Sequence, residues 1–545
     1  MSHTDPPVTP AETPARSLRP FEWALIAIAG LACYVSFFSG MTVFGLVGPD
    51  EPRYAAIARA MSETGDWVTP KLHGEAWLEK PILYYWVAAT GYQLLGEGEL
   101  AARLPSILGS LATLLAIGWL GWQHFGRTTT LLFAVLYPSS IATLVFARAA
   151  TTDTIFTSTL TLALAAALPI VIWPRGKAGR GLEVAWGAAL GLSVLAKGPA
   201  GVLLAGSSSV IACLLVGRLE RIWRLASPWA ILTFFAVALP WYVLVGIANP
   251  EFVEVFLVSH NVERFLTPVF RHVQPFWFFG PVMILALAPW TAWIVGVARE
   301  GRTALETRAR QGSASVFLAC WVVFPVVFFS LSQSKLPGYV LPSVPPAILL
   351  LARGIAITLE GGRAARALGI GTAGTLIAMS VAFLVAPGVE SAGVAPGAVR
   401  PLGAIMGLAG LGGLFFGMRR QLVPVVATTA LGVTLTLWQL SLFLMPTLDP
   451  YISTRNVAEE ASTLSSSSPV RSYGLHRTWQ FGIEYYLRRP VEEWATGGPA
   501  GTIVVTTTLG AREMQLEGTG VEILREISND AVLVRTTGAD DTFSR

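Results

Sequence analysis

Apolar runs about as long as a bilayer is thick recur from Phe21 almost to Met445, and no other feature limits the fold so tightly. Inside hydrocarbon every backbone polar group must find its partner within the chain, so a run of this kind is a helix spanning the membrane. One crossing takes ~20 residues, and on that length roughly thirteen spans are expected. Composition agrees: 53% of residues are hydrophobic and 13% charged, against about a quarter charged in soluble domains. The expected fold class is therefore a polytopic α-helical membrane protein.

The domain layout follows. Residues 1–20, rich in Pro and Thr, read as a disordered cytoplasmic tail. The Phe21 segment lacks a small-residue cleavage site and is followed by further spans, so it is not a cleaved leader. Residues 21–446 form the membrane domain, with surface helices at about 50–95 and 249–275, and 447–545 read as a small α/β domain. Its expected strands are Val470–Leu475, Gly501–Thr507, and a pair, Val521–Ile527 and Ala531–Thr536, turning at Ser528-Asn529-Asp530. It contains no nucleotide-binding glycine loop, so no nucleotide cofactor is expected, and its role is taken as supporting. Cys33, Cys213 and Cys320 lie inside apolar runs without metal-ligand spacing.

Charge is sorted by side. Arg16 and Arg19 precede the first span, and alternate connections then carry Arg127, Arg180, Arg218, Arg224, Arg302, Arg363, Arg419 and their neighbours. By the positive-inside rule these connections are cytoplasmic, and the C-terminal domain is outside. The net charge of +4 is spread over short loops, which argues against a nucleic-acid partner. The opposite connections hold nearly all the residues with chemical potential. They contain Asp50, Glu51 and Arg53; Glu79 and Lys80; Arg148 and Asp153; Lys197; His260 and Arg264; and Lys335 with Tyr339. Ionisable groups beside hydrocarbon are costly unless paired, hydrated or in use. Arginine forks and lysine point charges grip phosphate while a carboxylate stays available. A lipid-linked phosphate is the substrate this implies, and a sugar on that phosphate makes lipid phosphate a leaving group that needs cations. Open alternatives are a local pairing for His260, an interfacial anchor for Arg148, and an interface belt for Trp77, Tyr84, Tyr85 and Trp86. His73, His124, His272 and His476 are expected to have no catalytic role. The helix expected to start near Pro52, with Tyr54, Ile57, Ala58 and Met61 on one face, would lie along the membrane surface.

Asp50-Glu51-Pro52-Arg53-Tyr54-Ala55, Gly65-Asp66-Trp67-Val68-Thr69-Pro70, Glu79-Lys80-Pro81, the His260–Phe265 segment and Lys335-Leu336-Pro337-Gly338-Tyr339 together resemble the bacterial lipid A aminoarabinose transferases. These stand with the protein O-mannosyltransferases among lipid-phosphate-sugar-dependent glycosyltransferases of the GT-C fold. The resemblance covers nearly the whole chain and departs at Ile82, where relatives often carry a second proline. It implies that Asp50 and Asp153 are the essential acids. It also implies that Arg53, Lys80, Arg264 and Tyr339 hold polyprenyl phosphate with help from Lys197, and that Glu79 and His260 match positions that bind a divalent metal in a relative. The expected function is transfer of a sugar from a polyprenyl-phosphate donor to lipid A or another envelope glycan, at the periplasmic face of a bacterial inner membrane. A protein O-glycosyltransferase is the nearest alternative. A lipid-sugar flippase is more distant, since paired broken helices with mid-membrane charges are not seen.

Overall fold

The computed structural model describes residues 17–174, 178–263, 273–295, 310–361, 365–385, 396–465, 469–528 and 531–537. The expected tail up to Arg16, Arg264, His272, and the turn at Asn529 and Asp530 lie outside the described residues.

The membrane domain is helical throughout. Among the described residues nine helices are long and apolar enough to cross a membrane. The remaining expected spans are helical too, but depart from that standard for visible reasons. One is split into α5 (Arg127–Leu136) and α6 (Ile141–Phe146) around Pro138. Another, α8 (Arg180–Lys197), carries Arg180, Glu183 and Lys197. A third, α9 (Ala200–Val216), has 17 residues. The Phe279–Leu287 helix stops at Ala288-Pro289 before a short turn, Trp290–Trp293.

Helix α1 (Pro20–Phe37) is apolar all round, burying Leu25, Ala32 and Val35 while exposing Trp23, Ile26 and Tyr34. That two-sided greasiness is what a lipid-facing helix requires. Helix α7 (Thr152–Ile172) is instead covered by protein on nearly all sides, packed on α8, α9 and α4 (Glu99–His124). Its Thr, Ser and Ala side chains let those neighbours approach closely.

Between α1 and α4 the chain forms a platform. Helix α2 (Asp50–Thr64) ends at Gly65, whose φ of 70° provides the left-handed cap. A two-residue hairpin follows, β1 (Lys71–Leu72) with β2 (Glu75–Ala76), and then α3 (Leu83–Leu95). The expectation that α2 lays its apolar face on the bilayer is corrected. Tyr54, Ile57, Ala58 and Met61 are buried in the protein core, Tyr54 ringed by Tyr84 and Tyr85 at centroid distances of 5.7 and 6.1 Å. Tyr84 and Tyr85 are likewise wholly buried, not an interface belt. Arg148 is buried as well, 7% exposed, and donates to the Val35 carbonyl at 3.0 Å, so it is no interfacial anchor.

The C-terminal domain is a four-stranded sheet, ordered β3-β4-β6-β5, from β3 (Val470–Tyr473), β4 (Ile503–Thr506), β5 (Gly520–Ser528) and β6 (Ala531–Thr537). β3 and β4 are parallel, with Val470 opposite Ile503; the other pairs are antiparallel. Its helix Arg477–Leu487 packs on α2. Polar contacts fix the docking: Arg59 donates to the Tyr485 carbonyl at 2.9 Å, Tyr486 to Glu99 at 3.0 Å, and Arg455 lies 3.1 Å from Glu99.

Candidate active site

The site is built at the head of α2. Gly48 (φ 72°) and Pro49 turn the chain so that Asp50 and Glu51 fall in the first helical turn, where backbone N–H groups favour negative charge. The two neighbours then part company. Glu51 points inward, is 7% exposed, and accepts from the backbone of Val47 (2.9 Å) and Ala150 (2.9 Å) and from Arg103 (3.2 Å). Arg103 is fully buried on α4 and also donates to the carbonyls of Met41 (2.5 Å) and Gly45 (2.8 Å). Asp50 points outward, with a side chain 51% exposed, and accepts from Arg53 one turn on at 2.5 Å.

Arg53 is caged by aromatic rings. Its guanidinium carbon lies 5.1 Å from Tyr54, 5.1 Å from Trp77 and 5.4 Å from Phe481 of the C-terminal domain. Burial alone lowers its pKa, yet Tyr54, Asp50 and Glu79 outweigh burial and raise it, so the cation is secure. The Tyr54 hydroxyl is pushed well up, chiefly by burial and then by Asp50, with a further contribution from Asp153. One tyrosine thus feels both expected acids, and Arg53 feels Glu79.

Asp153 stands in the first turn of α7 and bonds Lys197, which closes the last turn of α8. Each charge complements its helix end. Lys197 Nζ sits 5.3 Å from the Tyr339 ring and 5.4 Å from Phe156. Gly338 lets the Pro337–Ser343 turn approach, since a Cβ there would be 2.9 Å from Asp153 Oδ2. Lys335 is buried and donates to the Ser332 carbonyl at 2.5 Å, holding its own loop.

The rest of the platform positions these groups. Asp66 accepts from the backbone of Val68 and Thr69 at 3.1 and 3.0 Å and pairs with Lys71 at 2.9 Å. Burial raises its pKa, but these bonds prevail and lower it. The Val68 carbonyl accepts from Trp241 at 2.9 Å, and Thr69 accepts from Asn249 at 2.9 Å. Glu79 Oε1 lies 3.8 Å from His260 Nε2 in a π-helical segment, Val253–Glu263. Those are two donors for a metal; among the described residues no third His, Cys, Asp or Glu joins them. The pair by itself does not complete a metal site.

The structure therefore gathers Asp50, Arg53, Glu79, His260, Asp153, Lys197 and Tyr339 at one end of the bundle. Lys80, half-buried, follows Glu79 in the same loop, and the expected role of Arg264 falls outside the described residues. Sequence reasoning missed Arg103, Phe481 and the structural duty of Glu51. A lone arginine inside an apolar span was the signal for Arg103. No local signal marks Phe481, whose contact spans more than four hundred residues of chain.

The family model for dolichyl-phosphate-mannose-protein mannosyltransferase matches residues 24–256. An undecaprenyl phosphate-alpha-4-amino-4-deoxy-L-arabinose arabinosyl transferase of Edwardsiella ictaluri is 31% identical over 360 residues, covering 64% of this chain and 62% of that protein. A second such transferase of Sodalis glossinidius is 32% identical over 369 residues, covering 66% and 65%. The matched segment thus spans less than two thirds of these relatives. The crystal structure of ArnT from Cupriavidus metallidurans bound to undecaprenyl phosphate superimposes with a TM-score of 0.77 at 23% identity, covering 95% of this chain and 98% of that one. That likeness shows the fold, a polytopic helical membrane architecture.

Proposed function

We propose that this chain, which is ArnT-like in fold and sequence, is a membrane glycosyltransferase moving a sugar from a polyprenyl phosphate to an acceptor outside the cytoplasm. The observation that carries the reading is two carboxylate–cation couples, Asp50–Arg53 on α2 and Asp153–Lys197 between α7 and α8, with Tyr54 sensing the charge of Asp50, Arg53 and Asp153. Arg53 and Lys197, with Lys80, Tyr339 and Arg264, would take the donor phosphate, whose lipid tail stays in the bilayer. The glycosidic C1–O bond to phosphate breaks and its electron pair leaves with the phosphate, stabilised by those cations. An acceptor oxygen bonds C1. A hydroxyl acceptor passes its proton to a carboxylate, whereas an acceptor phosphate is already anionic. Asp50, whose side chain is half exposed, is the group proposed to do this. An undecaprenyl phosphate carrier is supported by the similar arabinosyl transferases, and lipid A or another envelope glycan is the acceptor that the motif resemblance implies. Glu79 and His260, 3.8 Å apart, would border the donor.

The test is turnover by the purified chain in liposomes. With a glycosyl undecaprenyl phosphate as donor and lipid A as acceptor, free undecaprenyl phosphate should appear, while Asp50→Asn binds the donor without releasing it. Wild-type turnover by that variant removes Asp50 from the reaction. Cysteine accessibility at positions 50 and 335 tests sidedness, and labelling from opposite faces of the membrane overturns the reading. Glycoprotein analysis in cells with and without the gene separates a protein acceptor from a lipid one.

A further inference from the structure

The segment that delivers Asp50 is held by residues more than four hundred positions further along the chain. Residues 45–47 run from α1 towards the Gly48-Pro49 turn. The Gly45 N–H donates to Asp449 at 2.7 Å, the Leu46 N–H donates to the Tyr486 hydroxyl at 2.9 Å, and Val47 forms an antiparallel bridge with Ser453. Gly45 and Leu46 are buried, so without those acceptors their N–H groups would be left unpaired away from water.

The acceptors are themselves fixed. Asp449, in the Met445–Ile452 helix, is 6% exposed and also accepts from the Ser453 hydroxyl at 2.8 Å. Tyr486 gives its own proton to Glu99, the first residue of α4, at 3.0 Å. Gly45 lets the strands of this clamp close, since a Cβ there would stand 2.5 Å from Ser453 Oγ and 2.7 Å from the Tyr486 hydroxyl. Docking of the C-terminal domain already has Arg59 on the Tyr485 carbonyl and Arg455 beside Glu99. The bonds to residues 45–47 do something further: they fix a stretch of main chain.

Asp50 depends on that stretch for its place. Its side chain is 51% exposed and its bond to Arg53 lies within α2, so its position relative to Asp153 and Lys197 is inherited from the backbone at the head of α2. From inside, Glu51 ties that head to the Ala150 N–H just before α7. From outside, the clamp ends at Val47, which even a fully extended chain puts within about 11 Å of Asp50.

We propose that Asp449 and Tyr486 are positioning residues for sugar transfer: by holding Gly45 and Leu46 they set where the Asp50 carboxylate meets the acceptor. This rests on the reading that Asp50 takes the acceptor's proton. Arg53 keeps its cage of rings without the clamp, so the clamp governs turnover rather than donor affinity.

The experiment uses the full chain in liposomes, with a glycosyl undecaprenyl phosphate as donor and lipid A as acceptor, and follows hydrogen exchange of the 38–49 segment by mass spectrometry. Asp449→Ala should speed exchange of the loop amides by about tenfold and lower kcat by roughly ten- to a hundredfold, with donor KM unchanged. Asp449→Asn keeps an oxygen for Gly45 and Ser453 and should restore both. Tyr486→Phe removes the acceptor of the Leu46 N–H and should reproduce the loss; it carries the comparison if Asp449→Ala does not fold. Arg59→Gln cuts a docking contact outside the loop and should keep wild-type exchange and kcat. Wild-type kcat in the clamp variants while Asp50→Asn is inactive overturns the clamp and leaves the role of Asp50 standing. Unchanged loop exchange, a higher donor KM at constant kcat, or an equal loss in Arg59→Gln overturns it as well. Wild-type turnover by Asp50→Asn, or no turnover by wild type, overturns the clamp together with the reading beneath it.

Discussion

Glu51→Gln separates the duties of two adjacent carboxylates. Glu51 neutralises Arg103, which has no exposure, and accepts from two backbone N–H groups. The amide keeps the shape and one acceptor but removes the charge, leaving a buried guanidinium with backbone carbonyls and the Phe44 ring around it but without its counter-charge. Breaking a buried pair from one side costs about 3–5 kcal/mol. Asp50 sits next to it in sequence, yet its side chain is 51% exposed and its partner Arg53 stays caged by three rings. A pair that exposed is worth about 0–1 kcal/mol once solvent screening is counted. Scanning fluorimetry of the detergent-solubilised variants should therefore show Glu51→Gln melting far below wild type and Asp50→Asn melting with it. Turnover should divide the other way, with Asp50→Asn folded and inactive. Equal melting of Glu51→Gln and wild type, or a loss in Asp50→Asn as large as in Glu51→Gln, would refute this division of labour.

Three further substitutions probe the wall of the site. Phe481→Ala removes one ring of the Arg53 cage, and a cation–π contact of about 0.5–1 kcal/mol predicts a two- to fivefold rise in donor KM at unchanged kcat, restored by Phe481→Tyr; an unchanged KM would detach the C-terminal domain from donor binding. Gly338→Ala drives a methyl to within 2.9 Å of Asp153 Oδ2, and displacing that carboxylate should cut kcat by about a hundredfold while the melting temperature barely moves; full turnover would show that the position of Asp153 is not critical. Arg148 has one buried nitrogen without a hydrogen-bond partner among the described residues, and a pKa lowered to about 10 by burial and by Arg103. Arg148→Met removes a charge that burial penalises and should leave melting and turnover intact, so a loss of either would assign that guanidinium a function.

The sequence made the polar face legible because membrane insertion sorts residues by physical cost. Ionisable side chains collect where water reaches, and the order of apolar runs places Asp50, Asp153, Lys197 and Tyr339 at the same ends. Periodicity also gave α2, which begins at Asp50 with its apolar face on Tyr54, Ile57, Ala58 and Met61. It could not say what covers that face. An amphipathic helix on lipid and one covered by protein bury the same residues, and the packing of α3 and of the Arg477–Leu487 helix on α2 decides between them. The same ambiguity hid the difference between Asp50 and Glu51. Adjacent positions in a helix differ by about 100° in direction, so one faces outward and the other Arg103, and that choice depends on α4, some fifty residues away. What a sequence of this kind reports is which charges share a surface. Which of them stays open to a ligand depends on the elements that enclose the others: two backbone donors and a buried arginine take three of the roughly four acceptor sites of Glu51, whereas the half-exposed Asp50 accepts from Arg53.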